Sequence, residues 1–206
     1  MNFIFLVISS LIIVPVIFSI INYKYFSKSL KTITYLLWIS FIFNILDIMI
    51  VYFLKKSSLP MFHIYTIIEF IFLSYYFYFL TERKYFKKII LFLIPVFLGI
   101  VILIKMFFEP ITKIDSYTLT IECIFLLIFS SIYLTEYLSE NLIIKLSDYR
   151  FLLTIGFMIY YGGNLFVFAL SNEFDVWLIH NVLIILLWSI YTITFIWQRY
   201  QAKSGG

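Results

Sequence analysis

Residues 88–108 read KIILFLIPVFLGIVILIKMFF. Between Lys88 and Lys105 no side chain is polar, and only Pro95 and Gly99 interrupt the large apolar residues. As a helix the stretch is about 31 Å long, enough to cross the hydrocarbon of a bilayer. Its apolar residues follow no one-sided period, so no face is set aside for water. Similar stretches recur along the chain. Their expected spans are Asn2–Asn22, Thr32–Leu54, Phe62–Leu80, Lys88–Phe108, Ser116–Leu138, Arg150–Leu170 and Phe174–Trp197.

Composition agrees with that reading. The 206 residues are 64% hydrophobic and 13% charged, with a mean hydropathy of +1.05. A soluble domain carries about one quarter charged residues. The expected fold is an all-α membrane protein, a single seven-transmembrane-helix bundle over residues 1–203, in contact with the lipid bilayer. Ser204-Gly205-Gly206 reads as a linker remnant outside that domain. The first stretch has no basic region before it and no small-residue cleavage site, so it reads as a retained helix. The links are too short for a kinase, nuclease or nucleotide-binding module, and the net charge of +4 does not signal nucleic acid. The lone Cys123 excludes an internal disulfide and reads as a buried packing thiol.

Basic residues fall mainly on one side. Lys24, Lys28, Lys31, Arg83, Lys84, Lys87, Lys88, Lys145, Arg150, Arg199 and Lys203 make 11, against 4 on the other side (Lys55, Lys56, Lys105 and Lys113). The positive-inside rule puts the richer side in the cytoplasm, with the N-terminus outside and the C-terminus inside. Abundant Ile, Phe, Lys, Tyr and Asn suit an AT-rich bacterial genome, hence the bacterial cytoplasmic (inner) membrane.

Ionisable residues inside a bilayer cost several kcal/mol and usually mark function. Asp47, Glu69, Glu122 and His180 are such residues, and with Asn164 they fall on the order of 7–12 Å from the outer ends of the expected helices. Ser40, Asn44 and Asp47 share a face of the second helix; Tyr65 and Glu69 stand on the third. Glu122 is on the fifth, Tyr160 and Asn164 on the sixth, His180 and Asn181 on the seventh. These nine (Asn44, Asp47, Tyr65, Glu69, Glu122, Tyr160, Asn164, His180 and Asn181) are the candidate ligand-binding residues of an outward polar cavity. The first and fourth helices, poor in polar residues, read as peripheral. A metal would draw on His63, Glu69, Glu122 and His180. No local metal-ligand spacing is present, however, since His63 and Glu69 stand about 120° apart around their helix. Interhelical hydrogen bonding is the competing use of Asn44, Asn181, Tyr160 and Tyr161. Gly162-Gly163 suits either close helix approach or a bend beside Asn164.

Several families share parts of this pattern. Seven helices with the N-terminus outside resemble microbial rhodopsins, but Phe174–Trp197 holds no lysine for a retinal Schiff base, so no retinal is expected. Phe43-Asn44-Ile45-Leu46 can be set against Gly163-Asn164-Leu165-Phe166, each followed by a helix with histidine near its start, His63 or His180. That arrangement resembles the three-plus-one-plus-three transporters of the SWEET and PQ-loop type and the KDEL receptors. The Pro-Gln motif is missing, and Glu122 breaks the equivalence of the first and fifth helices. Ceramidase-type hydrolases share the topology without their histidine-rich motifs. The segments from His63 to Phe70, from Gly163 to Phe166 and from Trp177 to Asn181 are similar to those of a group of bacterial seven-helix membrane proteins with no established activity.

The leading expectation is a receptor-like membrane sensor. It would bind a small ligand, ion or proton and signal through a membrane or cytoplasmic partner or a homo-oligomer. A small-solute or proton-coupled transporter is the alternative. A metal-dependent intramembrane hydrolase of lipid comes third, which leaves enzymatic activity open.

Overall fold

The computed structural model describes residues 8–112, 115–140, 148–170 and 177–204. Seven helical spans in it are long and apolar enough to cross a membrane. The first covers Ile8–Tyr25, with α1 at Ile13–Asn22 closing into a 3₁₀ turn at Tyr23–Tyr25. The others are α2 (Lys28–Tyr52), α3 (Leu59–Leu80), α4 (Lys84–Phe107), α5 (Ser116–Glu140), α6 (Tyr149–Leu170) and α7 (Trp177–Ser204). The N-terminal residues of the first expected span, the start of the seventh, and Lys113 and Lys145 lie outside the described residues.

Several helices outrun their apolar stretches at the lysine- and arginine-rich end of the bundle, here the basic end. There α2 starts at Lys28, α4 at Lys84, and α7 continues to Ser204. Apolar runs mark the thickness of hydrocarbon, whereas helices continue as long as their terminal amides find partners. Those partners are visible. Ser27 Oγ accepts from Leu30 N at 3.3 Å at the start of α2. Asp148 Oδ1 accepts from Arg150 N at 2.9 Å at the start of α6. The buried Glu136 carboxylate accepts from Glu82 N at 2.9 Å and from the Thr81 hydroxyl at 2.6 Å, tying the end of α5 to the α3–α4 link. At the opposite end Glu109 takes the first amides of α5, Ser116 N at 2.9 Å and Tyr117 N at 3.3 Å. Negative groups at helix N-termini also favour the helix dipole.

Six helices close a ring in the order α1, α2, α3, α5, α6, α7, with α1 packed on α7. Helix α4 stands outside, against α3 and α5. Its Ile102, Leu103 and Met106 are exposed, as lipid-facing residues are. The reading of the fourth helix as peripheral matches this placement. The first helix differs: α1 is a ring member between α2 and α7.

The half of the ring toward the basic end is filled by aromatic rings. Phe70 stacks on Phe97 of α4 at 4.0 Å between centroids. Phe77 meets Phe129 and Phe157, Tyr76 meets Phe157, and Phe157 leads through Tyr191 to Phe195 and Phe26. Phe70, Tyr76, Phe77, Phe129, Phe157 and Phe195 are fully buried. Lipid is as apolar as these side chains, so dispersion and ring geometry hold the helices together, each aromatic pair adding about 0.5–1.5 kcal/mol.

Helices α6 and α7 approach through small residues. A Cβ placed on Gly163 would stand 2.5 Å from Leu183 Cδ1, and one on Gly156 would stand 2.9 Å from Ile190 Cδ1. These glycines are seven apart and share a face. Gly162 faces looser packing, its nearest contact being Leu127 at 3.8 Å. Helix α6 is continuous from Tyr149 to Leu170, and of the two glycines it is Gly163 that serves the close approach to α7.

Candidate functional site

The other half of the ring encloses a cavity of about 570 Å³. It begins near Ser58 and Phe62 at the start of α3 and extends to Glu69; on α7 it extends from His180 to Tyr191. Each span is eleven residue steps, or about 16 Å of helix. The aromatic core lies beyond its deep end. Volumes of roughly 300–1,000 Å³ are those that small-molecule sites occupy.

The ring brings together eight of the nine candidate residues. Asn44, Asp47, Tyr65, Glu69, Glu122, Tyr160, His180 and Asn181 all line the cavity. Asn164 is fully buried one step behind the wall, where its Oδ1 accepts from His180 Nδ1 at 2.8 Å. It therefore fixes a wall residue without facing the space itself. The imidazole of His180 is flanked by the rings of Tyr160 and Phe168, at 6.3 and 5.9 Å.

Asp47, Glu69, Glu122 and His180 come from α2, α3, α5 and α7, and all four reach the same cavity. Helix α3 begins at Leu59, where the apolar pattern suggested Phe62.

Hydrogen bonds fix the deep part. Tyr161 Oη donates to Glu69 Oε1 at 2.7 Å. The Tyr65 and Ser40 hydroxyls are 2.7 Å apart, and Ser40 Oγ also donates to Leu36 O at 2.8 Å. Asn44 Nδ2 donates to Ser9 O at 3.4 Å, so the start of the first span joins the wall directly. Glu122 is 1% exposed, and its Oε1 has no hydrogen-bond partner.

Among the described residues four carboxylates reach the wall, those of Asp47, Glu69, Glu122 and Asp115, and no lysine or arginine does. Asp115 is matched. It pairs with Lys105 through one oxygen and stands 3.0 Å from His63 Nδ1 through the other, while His63 Nε2 donates to Ile111 O at 3.1 Å. Lys105 also stands 3.6 Å from Glu109. This cluster joins α3, α4 and α5 at the end away from the basic links. Among the described residues Asp47, Glu69 and Glu122 have no ion-pair partner.

Of the candidate metal ligands, His63 is held in the Asp115 cluster and is not on the cavity wall, whereas Glu69, Glu122 and His180 are. Among the described residues no three of His, Cys, Asp and Glu come close enough to share a metal ion.

The nine candidates leave out Asp115, Ser9, Ser40, Tyr161 and Tyr191, all of which line the cavity, although the sequence puts Ser40 on one face with Asn44 and Asp47. Asp115 directly before the apolar run of α5 carried a recognisable helix-start signal. Ser9 carried none, because its part rests on α1 closing the ring.

Comparison of the chain with protein-family models, with curated proteins and with solved structures finds no match.

Proposed function

We propose that the chain is a receptor-like membrane sensor that binds a small ligand in the cavity and passes the change to a partner protein. The observation that supports this most is a cavity of about 570 Å³ walled by three carboxylates without ion-pair partners among the described residues. Buried uncompensated acids are expensive in hydrocarbon, and a bundle meant only to pack has no use for three in one space. On this reading the cavity mouth faces outside and the aromatic core the cytoplasm of a bacterial inner membrane, the orientation that the positive-inside rule favours for the basic links.

The signal would travel through α6 and α7. Helix α6 carries Tyr161 on Glu69 and Asn164 on His180, so a ligand engaging either wall residue pulls on the same helix. The close α6–α7 packing at Gly156 and Gly163 transmits such a shift as a rigid pair. The output goes to a membrane or cytoplasmic partner, or to a second copy of the chain.

Native mass spectrometry of protein extracted with its lipids tests the reading. The expected result is a bound small molecule that is lost in the Glu69→Gln, His180→Ala double variant while the fold is retained. An identical spectrum for the variant contradicts it.

A transporter is the second reading, and one observation favours it. Helices α1–α3 and α5–α7 follow one another round the ring in the same order, with α4 outside, as two parallel repeats would. Transport would require the aromatic core between Phe70 and Phe195 to open. Solute flux into vesicles containing the purified protein would decide for it. The metal-dependent hydrolase has no comparable support among the described residues.

A further inference from the structure

We propose that the cavity takes an organic cation, a protonated amine on an apolar body, with the Glu122 carboxylate as its counter-ion. The inference rests on the reading of the cavity as a ligand site and adds the chemical class of the ligand.

Charge is the first argument. After Lys105 is set against Asp115, the wall keeps Asp47, Glu69 and Glu122 with no lysine or arginine among its described residues. An anionic ligand would add like charge, and with a neutral one the acids are relieved only by taking up protons. A cation offsets their charge.

Glu122 is the second. Glu69 already receives the Tyr161 hydroxyl at 2.7 Å, whereas Oε1 of Glu122 is buried and receives nothing. An ionised carboxylate accepts several hydrogen bonds, and a buried one left without them carries a large desolvation penalty. A primary ammonium offers three N–H donors and a full charge to that atom.

The rest of the wall selects against a bare ion. An inorganic cation needs several oxygen ligands at short range, and among the described residues no three His, Cys, Asp or Glu converge. The wall offers aromatic rings instead: Tyr65, Tyr160, Tyr161, Tyr191 and Trp188. Aromatic faces attract ammonium groups within about 6 Å, more strongly once water is excluded. Most other wall residues are aliphatic or phenyl, among them Ile12, Leu37, Leu187 and Phe168, which suits an apolar body behind the charge.

The test uses purified full-length protein in lipid nanodiscs and three matched probe series. These are ω-phenylalkylamines with one to six methylenes, the corresponding alcohols and the corresponding carboxylates, with sodium chloride as the inorganic control. Binding is read by isothermal titration and by thermal stabilisation. The expected result is saturable binding of at least one amine, on the order of tenfold tighter than its alcohol. The near-isosteric Glu122→Gln variant should lose that preference, its amine and alcohol affinities drawing together. Should Glu122→Gln fail to fold, the amine-to-alcohol ratio on the unaltered protein decides. Equal binding of amine and alcohol, preference for the carboxylate, or equal stabilisation by sodium overturns the amine assignment and leaves the cavity a ligand site. Failure of all three series overturns both.

Discussion

The Glu136 carboxylate does the work of two caps. It is 2% exposed and accepts from the Thr81 hydroxyl and the Glu82 amide, with Arg83 Nε 3.7 Å away. Truncating it leaves buried donors without partners, at about 1–3 kcal/mol each. Glu136→Ala should therefore lower the unfolding temperature clearly, and Glu136→Gln, which keeps an acceptor oxygen, should recover most of the loss. Equal melting of Ala and Gln variants would show that the caps contribute nothing.

Asp148, in the link before α6, gives a dependence on pH. Burial pushes its carboxyl up, but hydrogen bonds and charge from Arg150, with a further bond from Tyr137, outweigh burial and hold it below the ordinary carboxylate value. A carboxylate depressed in the folded state stabilises fully above its unfolded pKa of about 3.9. That contribution fades as pH falls through the lower folded value. Melting curves should show unaltered protein ahead of Asp148→Asn at pH 5 and above, with the gap narrowing below about pH 4. A gap independent of pH would contradict the assignment. Residues of this kind were hard to read in the sequence. Glu136 and Asp148 resemble ordinary polar residues at the ends of apolar runs until the helices that bring their partners are in place.

At the scale of the element, α6 and α7 depend on which glycine faces the neighbour. Gly163→Ala pushes a methyl into Leu183, where the nearest contact would be 2.5 Å, so Leu183 or the helix must shift. Overpacking of this kind costs about 1–3 kcal/mol. Gly162→Ala meets only an ordinary contact at 3.8 Å and should be neutral or stabilise by up to about 1 kcal/mol. Thermal unfolding of the two variants compares them directly, and similar losses in both would show that close packing at Gly163 is not what joins these helices. The sequence made the glycine pair conspicuous and could not say which of the two touched α7, because a one-residue step turns a helix by about 100°. Element extents were legible to within a few residues in the apolar stretches. They were least legible at the basic end, where polar turns continue α2, α4 and α7.

At the scale of the whole molecule, seven spans followed from composition alone, because little else accommodates so many uncharged apolar residues. The order of helices in the ring did not. The first span looks peripheral in the sequence, yet it closes the cavity through Ile8, Ser9 and Ile12, just before α1. The gathering of Asn44, Asp47, Tyr65, Glu69, Glu122, Tyr160, His180 and Asn181 around one space was legible, since polar side chains in hydrocarbon turn toward one another. The position of Asn164 behind His180 needed the three-dimensional structure.

The central claim is a ligand cavity reached from the side away from the basic links, with α4 outside it. Cysteine accessibility in intact cells tests it. Cys123 is first replaced by alanine, because it too lines the cavity. Single cysteines then replace Asn181 and Ser40 on the wall and Ile102 on the exposed face of α4. A small membrane-impermeant thiol reagent added outside should modify the Asn181 and Ser40 positions. It should leave Ile102 untouched, since a thiol in lipid does not ionise. Modification of Ile102, or labelling of Asn181 and Ser40 only when the reagent is supplied from the cytoplasmic side, would contradict the account.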